Sequence, residues 1–270
     1  MTGAAETRGK RSARPPGLHA VVLKRTDFRE SSRIVTCLTR EHGRITGLAK
    51  GAHRPDSPFL GRLDFLAEID ATFSPDRGGL RLLERATLRL ERRGLREPVR
   101  FLAASHLAFL CDCAMPDARP EPAVFDLLVG GLALLERCPP ERLGHVVLGL
   151  ELRLLAQLGA LPDLDHCAEC GTRLGHDSWR HADAPGLVCR AHARPPRQAV
   201  TAQAMELLRA LHGSSGRQWP VLAVDVPAEL AAPLPAAWLA AATEQRPRLR
   251  PVLFAHLRDS SRGHADGSAT

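Results

Sequence analysis

Four residues in the second half of the chain have the types and the spacing of a metal site. Two residues separate Cys167 from Cys170, two separate Cys189 from His192, and eighteen lie between the pairs. This separation lets a tight turn aim both donor atoms at one ion, and Zn²⁺ takes four such ligands tetrahedrally. The pattern predicts one structural Zn²⁺ ion, held in a zinc finger over residues 166–193.

The spacing alone leaves the fourth ligand open, because three other histidines lie nearby: His166, His176 and His181. Gly171 follows the first cysteine pair and supplies the permissive backbone that the turn needs. The segment TRLGHDSWRHADAPGL between the pairs predicts a short hairpin. Zinc deaminases use H-x-E followed by P-C-x-x-C, and the chain lacks both. Four protein ligands leave no open position for water, so we expect a structural ion.

The elements around this site differ in charge along the chain. Residues 1–100 hold 21 Lys and Arg against 12 Asp and Glu, whereas residues 101–270 hold 16 against 18. The first part therefore carries the whole of the net +7 charge. A polyanionic partner such as nucleic acid explains this concentration. The alternative is a solvated surface in a chain that uses Arg throughout.

Short apolar segments in the first part predict five β-strands, at 18–24, 33–40, 43–51, 65–73 and 80–92. The fourth is the clearest, since its odd positions from Phe65 to Phe73 are apolar and its even positions include Glu68 and Asp70. This alternation predicts one buried and one mostly solvated face. Without room for crossover helices the sheet is antiparallel and closes on itself, as a five-stranded OB-type barrel does. Strand count alone leaves an SH3-like barrel open.

After Pro98 the apolar residues recur at helical intervals, in segments 99–113, 122–138, 141–159, 202–212, 228–245 and 250–259. Gly159 suits a helix C-terminus, Thr201 suits a helix N-cap, and Pro233 interrupts the fifth segment. We predict an α+β protein in which an α-helical domain with an embedded zinc finger follows the barrel. The predicted divisions are a disordered basic arm at 1–16, the barrel domain at 17–95, the helical domain at 96–258 and a disordered tail at 259–270.

The strands and loops of residues 24–62 contain the basic side chains that we expect to contact DNA phosphates: Lys24, Arg25, Arg29, Arg33, Arg44, Lys50, His53, Arg54 and Arg62. Single-strand binders also stack bases on aromatic rings. Phe28 and Phe59, in predicted loops, are the candidates, with closure of the barrel ends as the alternative role.

Several classes of protein are disfavoured. No apolar run approaches the roughly 18 residues of a membrane span, and the basic N-terminus has no apolar segment of a secretory signal behind it. We therefore expect a cytoplasmic protein with reduced thiols. The expected nucleic-acid partner would make it nucleoid-associated. The cysteines outside the finger are then packing residues: Cys37, Cys111, Cys113 and Cys138. No P-loop, G-x-S-x-G, H-E-x-x-H or G-x-G-x-x-G motif occurs, so we expect no enzyme.

From about residue 18 to 195 the chain resembles the RecO family of recombination mediators. The resemblance is carried by LHAVVLKRTDFRESSRIVTCLT, HGRITGLAKGAHRP, LDFLAEIDATF, FDLL, LELRLLAQLGALPDLDHCAECG and GLVC, in that order. It implies an N-terminal OB domain, a helical domain and an embedded zinc finger. It also implies binding of single- and double-stranded DNA, annealing of complementary strands and help in loading RecA onto SSB-coated DNA in the RecF pathway.

The resemblance further implies RecR and the acidic C-terminal tail of SSB as partners, with RecA and RecF as further candidates. It places DNA contacts at Lys50 and Arg54 and the zinc ligands at the three finger cysteines and His192, which stands where the family usually has a fourth cysteine. Asp56 and Pro58 interrupt a loop that is usually more basic. Two rival interpretations remain. The first is a zinc-ribbon adaptor or regulator that binds protein alone. The second is a metal-dependent nuclease or hydrolase, which the absence of a carboxylate cluster disfavours.

Overall fold

The first part of the chain is a closed β-barrel. The computed structural model describes residues 17–115, 119–175, 178–181, 186–243, 245 and 247–266, with side chains to residue 258. Five strands form the barrel: β1 (Leu18–Phe28), β2 (Ser32–Thr39), β3 (Gly43–Ala49), β4 (Glu68–Phe73) and β5 (Arg81–Leu90). Their order is β1-β2-β3-β5-β4, and β4 pairs back onto β1. The short β3–β5 pairing is parallel, so the prediction of an antiparallel sheet is wrong at this one pairing. The predicted OB-type barrel is confirmed.

The alternation predicted for β4 holds on its inner face, and on its outer face it fails at Glu68. Ile69 and Ala71 are buried in the barrel core, as expected. Glu68, expected to face solvent, is only 5% exposed. Its carboxylate lies 2.8 Å from His19 Nε2 and accepts a 2.7 Å hydrogen bond from Arg92. Arg92 also pairs with Glu136 of a following helix, so the helical part covers this strand and removes Glu68 from water.

Seven α-helices lie in the described residues after the barrel. They are α1 (Pro98–Ala114), α2 (Pro122–Arg137), α3 (Leu143–Gln157), α4 (Ala202–Gly213), α5 (Ala228–Ala231), α6 (Pro233–Thr243) and α7 (Leu249–Asp266). The predicted segment 228–245 divides at Pro233, which begins α6. The last helix reaches Asp266, into residues where the sequence predicts a tail. Residues 1–16, predicted to be a basic arm, lie outside the described residues.

Helix α3 is the centre of the helical part. Its residues from Leu143 to Leu152 are all buried, and Trp219 packs so closely on it that a Cβ at Gly149 would lie 2.5 Å from the indole. The helix ends at Gln157, and Gly159 follows its C-cap with φ of 67°, as predicted for a glycine at this helix C-terminus. Gly159 N–H donates to Ala156 and Ala160 N–H to Leu155, and these two bonds satisfy carbonyls of the last turn. This stop places the chain at the start of the finger.

The finger is a small three-stranded sheet that follows α3. Its strands are β6 (Ser178–His181), β7 (Leu187–Val188) and β8 (Arg197–Val200), in the order β7-β6-β8. The antiparallel pairing of β6 with β7 confirms the predicted hairpin. The sheet therefore extends beyond residue 193, where the predicted finger ends. Thr201 then caps α4 as predicted, because its hydroxyl accepts a hydrogen bond from Ala204 N–H.

Ion pairs and a shared core join the barrel to the helices. Arg40 donates two hydrogen bonds, of 2.9 and 3.1 Å, to the carboxylate of Asp126 in α2. Arg44 donates a 2.8 Å hydrogen bond to Asp112 in α1. Val21 and Leu38 of the barrel belong to the same buried cluster as the helices. The outer faces of β1 to β3 are thus divided between surface that contacts the helices and surface that stays open.

Candidate metal centre and nucleic-acid surface

The four residues with metal-ligand spacing come together in the finger. Cys167 and Cys170 lie in the turn after α3, Cys189 follows β7, and His192 lies in a short 3-10 turn. Their ligand atoms all lie within 4.8 Å of one another. Two sulfurs are 3.9 Å apart, at Cys170 and Cys189, and His192 Nδ1 lies 3.3 and 3.8 Å from the sulfurs of Cys189 and Cys167.

These distances suit a tetrahedral zinc site. Metal–sulfur bonds of about 2.3 Å and metal–nitrogen bonds of about 2.0 Å place the corners of the tetrahedron about 3.5–3.8 Å apart. Three of the six separations, at 3.3, 3.8 and 3.9 Å, bracket that range, and all six are within 4.8 Å. Disulfide bonding brings sulfurs to about 2.05 Å, so the pair at 3.9 Å is not a disulfide. The cluster could hold a metal ion.

Backbone hydrogen bonds hold the first cysteine turn in place. Gly171 N–H donates to Cys167 O at 2.8 Å, which closes the turn, and Gly171 has φ of 69° as the turn requires. Ala168 N–H donates to Leu187 O of β7 at 2.8 Å. This last bond ties the two halves of the cluster together. Arg209 of α4 also donates to the carbonyl oxygens of Leu164 and Leu174 on either side of the first cysteine pair, so the helical part helps to hold this turn.

The environment of Cys167 favours the thiolate that a metal binds. Burial raises the pKa of this thiol, but backbone hydrogen bonds from Cys189, Cys170 and Glu169 outweigh burial and lower the pKa to about 6. A thiolate at neutral pH is the form that coordinates Zn²⁺. The donor set of three sulfurs and one imidazole thus fits the ion predicted from the sequence.

Two of the three alternative histidines have other partners. His166 is exposed, and its Nδ1 lies 3.0 Å from Asp163 Oδ2. His181 Nε2 lies 3.0 Å from the carbonyl oxygen of His192, so Nε2 carries the proton and donates it. His181 therefore holds the turn that presents His192. His176 lies outside the described residues. Geometry favours His192 as the fourth ligand.

The remaining cysteines differ from the proposed metal ligands in burial and in the pKa of their thiols. Cys37, Cys111 and Cys138 are buried, as expected of packing residues, and Cys113 is half-buried. Burial raises the pKa of Cys37 to about 12 and also raises the pKa of Cys111. The thiols of Cys37 and Cys111 therefore stay protonated and unreactive.

The barrel carries a group of open positive charges. Four of the predicted phosphate contacts are exposed and make no ion pair with the residues that the structure describes: Lys24, Arg29, Lys50 and Arg54. Lys24 and Arg29 lie in β1 and just after it, and Lys50 and Arg54 lie just after β3. We call these four residues the open barrel cations.

The other five predicted contacts already have partners. Arg33 and His53 lie 3.0 and 2.9 Å from the same Asp27 oxygen, and Arg25 pairs with Asp64. Arg44 and Arg62 are instead bonded to other parts of the protein. Arg44 bonds to Asp112 and to Met115 O of the helical part, and Arg62 donates to Ala86 O at 3.1 Å. Their role at DNA stays a prediction, but a phosphate would have to compete with these bonds.

The two candidate stacking residues differ in exposure. Phe28 is 36% exposed, and the guanidinium of Arg29 lies 5.3 Å from its ring centroid. Phe59 is only 6% exposed and packs in the barrel core, so its proposal as a stacking platform was wrong. The loop after β3 folds back and uses this ring to close the barrel, which is the alternative role that the sequence left open.

Sequence reasoning missed a groove that only the fold assembles. It has a volume of about 930 Å³ and lies between α2, α3 and the segment after α4. Leu134 and the buried Trp219 line it, together with three arginines: Arg137, Arg153 and Arg217. Because these residues come from three separate segments, no local motif could have indicated the groove.

The barrel, the helices and the finger cluster together define a class of protein in which an OB-type barrel is joined to a helical part whose finger cluster could hold a metal ion. Residues 18–90 match the family described as Recombination protein O N terminal, and residues 95–230 match Recombination protein O C terminal. The chain belongs to the RecO family of DNA repair proteins. Within its described residues, no helix combines the length and the apolar character required to cross a bilayer.

Similar proteins cover most of the chain. DNA repair protein RecO of Exiguobacterium sibiricum is 33% identical over 183 residues, covering 67% of this chain and 72% of that protein. DNA repair protein RecO of Pelobacter propionicus is 33% identical over 199 residues, covering 72% and 80%. DNA repair protein RecO of Bacillus subtilis is 31% identical over 196 residues, covering 70% and 74%. The chain is therefore a DNA repair protein by family.

Proposed function

We propose that this protein is a non-enzymatic mediator of homologous recombination in the RecF pathway. It binds single- and double-stranded DNA, anneals complementary strands and helps to load RecA on SSB-coated DNA. The observation that carries the proposal is the set of open barrel cations, which lies on an OB-type barrel of a DNA repair family. Unpaired Lys and Arg side chains bind phosphates without sequence choice, as a mediator that acts on any gap requires.

The residues proposed to contact DNA fall into three groups, according to whether an existing bond must break before a phosphate can bind. Lys24, Arg29, Lys50 and Arg54 contact phosphates directly, because no ion pair within the described residues must break first. The second group consists of Arg25, Arg33 and His53, whose partners are exposed carboxylates. Exposed pairs of this kind contribute only about 0–1 kcal/mol and exchange readily for a phosphate. Arg44 and Arg62 are the least available to a phosphate, because Arg44 already bonds to the helical part and Arg62 to the backbone of β5.

The proposed cofactor is one structural Zn²⁺ ion held by Cys167, Cys170, Cys189 and His192. Its support is the donor chemistry and the spacing of the four ligand atoms within 4.8 Å. When bound, the ion supplies a crosslink between the turn after α3 and the turn after β7. The finger sheet is small, with strands of two to four residues, and such a sheet depends on this crosslink for stability.

The groove between α2, α3 and Trp219 is the proposed docking site for the acidic C-terminal tail of SSB. Arg137 and Arg217 are exposed, and neither forms an ion pair with a described residue. Arg153 lies 6.0 Å from the Trp219 ring and donates to Ser214 O, which holds it at the groove. An acidic tail would be neutralised by these arginines, whereas a basic one would be repelled. Substitution of Arg137 and Arg217 by Ala should weaken binding of an SSB-tail peptide, with Arg93→Ala/Arg96→Ala as the control.

RecR is a further proposed partner, with RecA and RecF as additional candidates, and the proposed location is the cytoplasm, at the nucleoid. The proposed units are an arm at 1–16, a DNA-binding barrel domain at 17–95, a helical domain at 96–258 and a tail at 259–270. The ion pairs of Arg40 and Arg44 join the barrel to the helices. A DNA-bound barrel would therefore carry the helical docking surface with it.

The ion pairing of Arg25, Arg33 and Arg44 supports one alternative, a zinc-ribbon adaptor or regulator that binds only protein. Fluorescence anisotropy of labelled single- and double-stranded oligonucleotides at rising salt separates the two functions. The mediator binds both DNAs with an affinity that falls steeply with salt. An adaptor shows no such binding. The same DNAs should stay intact after incubation with Mg²⁺ or Mn²⁺, and cleavage would overturn the non-enzymatic assignment.

A further inference from the structure

The finger carries a second set of open positive charges. Four of its arginines make no ion pair with any residue in the described ranges: Arg180, Arg190, Arg194 and Arg197. Three of them lie in the segment RAHARPPR at 190–197, which contains no acidic residue. Barrel arginines such as Arg33 and Arg44, in contrast, pair with carboxylates. The finger arginines thus keep their full charge for an external partner.

Two of these arginines are held in position by the finger sheet. Arg180 of β6 donates to Gln198 of the neighbouring β8 at 3.2 Å. Arg197 of β8 donates to Ala193 O at 2.6 Å, and its guanidinium lies 4.9 Å from the Trp179 ring centroid. Each guanidinium has five N–H donors, so donors remain after these contacts. Both side chains are therefore held in position before an anion binds, and each keeps N–H donors that can bind the anion.

The other two arginines have exposed side chains that bond to none of the described residues. Arg190 and Arg194 are exposed, and they flank His192 at distances of two residues along the chain. The turn that presents the proposed metal ligand therefore also presents these two charges. His181, which bonds to His192 O, fixes the same turn from the neighbouring strand β6. Because His181 pairs with Arg197 across the sheet, Arg197 lies on the same face as His181, whereas Arg180 lies on the other face beside Gln198. Arg190, Arg194 and Arg197 form what we call the finger arginine surface.

We propose that the finger arginine surface binds the phosphate backbone of DNA as a second contact, separate from the barrel. The guanidinium fork matches two phosphate oxygens, and Arg is the residue that best supports such bidentate contacts. Arg194 also lines a depression of about 670 Å³ whose other residues include Asp163 and Glu169. Because the two carboxylates repel phosphates, we expect the backbone to contact Arg194 from outside this depression.

This inference rests on the proposed function and deepens it. A protein that pairs two strands must neutralise two phosphate backbones at once. The open barrel cations provide one surface, and the finger arginine surface provides another on a different element of the chain. A strand on each surface would be held near its complement without base-specific contacts.

Arg190→Gln/Arg194→Gln tests the inference, because neither side chain bonds to any described residue and the fold should persist. Binding of single-stranded oligonucleotides is measured at several salt concentrations. Loss of two phosphate contacts should reduce the slope of log affinity against log salt by about 1.4. Arg248→Gln/Arg258→Gln is the control, since it removes the same charge from exposed positions near α7. Circular dichroism and zinc content verify folding.

The outcomes separate this inference from the proposed function. An unchanged slope in Arg190→Gln/Arg194→Gln, with normal binding by the wild type, overturns the finger contact alone. A wild type that binds no DNA overturns the proposed function itself. A reduced slope that the charge-conserving Arg190→Lys/Arg194→Lys variant restores supports a phosphate contact. If that variant fails to restore it, the loss is structural and the inference is wrong.

Discussion

The open barrel cations lead to a quantitative prediction for Lys50→Ala/Arg54→Ala. Both side chains are exposed in the loop after β3, and neither forms an ion pair within the described residues. Each phosphate contact on single-stranded DNA releases counterions equivalent to about 0.7 in the slope of log affinity against log salt. The double variant should therefore lower the magnitude of that slope by about 1.4, while unfolding at the same temperature as the wild type.

The assay is fluorescence anisotropy of a labelled oligo-dT at five or more salt concentrations. Arg93→Ala/Arg96→Ala is the matched control, because it removes the same charge from two exposed arginines that already pair with Glu91. That control should leave the slope almost unchanged. An unaltered slope in Lys50→Ala/Arg54→Ala would place the DNA elsewhere on the molecule. An equal reduction in both variants would mean that overall charge, rather than the barrel surface, sets the affinity.

Three further predictions concern the fold that holds these surfaces. Cys167→Ser should lose bound zinc and ordered finger structure together, because structural zinc binding is folding free energy; metal analysis beside Cys113→Ser, which should retain zinc, checks this. Glu151→Gln should cost about 3–5 kcal/mol of unfolding free energy, since it strands the buried Arg250 without its countercharge; a loss no greater than that of exposed Glu206→Gln would be inconsistent with this. Thr201→Ala should cost about 1 kcal/mol in chemical denaturation through loss of the α4 cap, and no change would mean that the cap is dispensable.

The pH dependence of stability follows from the same buried carboxylate. Burial raises the pKa of Glu151, but Arg250 and His106 outweigh burial and lower it to about 2. A lowered pKa stabilises the fold at a pH above the ordinary Glu value of 4.5. This stabilisation is lost as the pH falls from there towards 2. As the pH falls from 4.5 towards 2, the free energy of unfolding of the wild type should therefore approach that of Glu151→Gln. If the two free energies stay equally far apart over this range, the lowered pKa of Glu151 is contradicted.

Local patterns in the sequence predicted the barrel and the metal cluster well. Strand β4 alternates on its inner face, helix α3 has a wide apolar stripe, and the finger ligands lie in two tight turns. Each of these features is decided by residues within a few positions of one another. Gly159 and Thr201 likewise end and begin helices through local hydrogen bonds.

The errors and omissions come from contacts between distant segments. Glu68 is buried because α2 and Arg92 cover the barrel there, and Arg92 lies 24 residues away. Arg44 is anchored by Asp112, 68 residues away, which no charge count along the chain reveals. Phe59 is in a loop by sequence, but that loop folds back over the barrel. The groove at Trp219 and the pairing state of each arginine also depend on the assembled fold.

Annealing of complementary oligonucleotides coated with the cognate SSB tests the central claim most directly. Purified, zinc-replete protein is added, and duplex formation is followed by fluorescence quenching. We predict that the wild type accelerates pairing and that Lys50→Ala/Arg54→Ala largely loses the effect, whereas Arg93→Ala/Arg96→Ala keeps it. No acceleration by the wild type, with salt-dependent DNA binding intact, would contradict the mediator function and leave a DNA-binding adaptor.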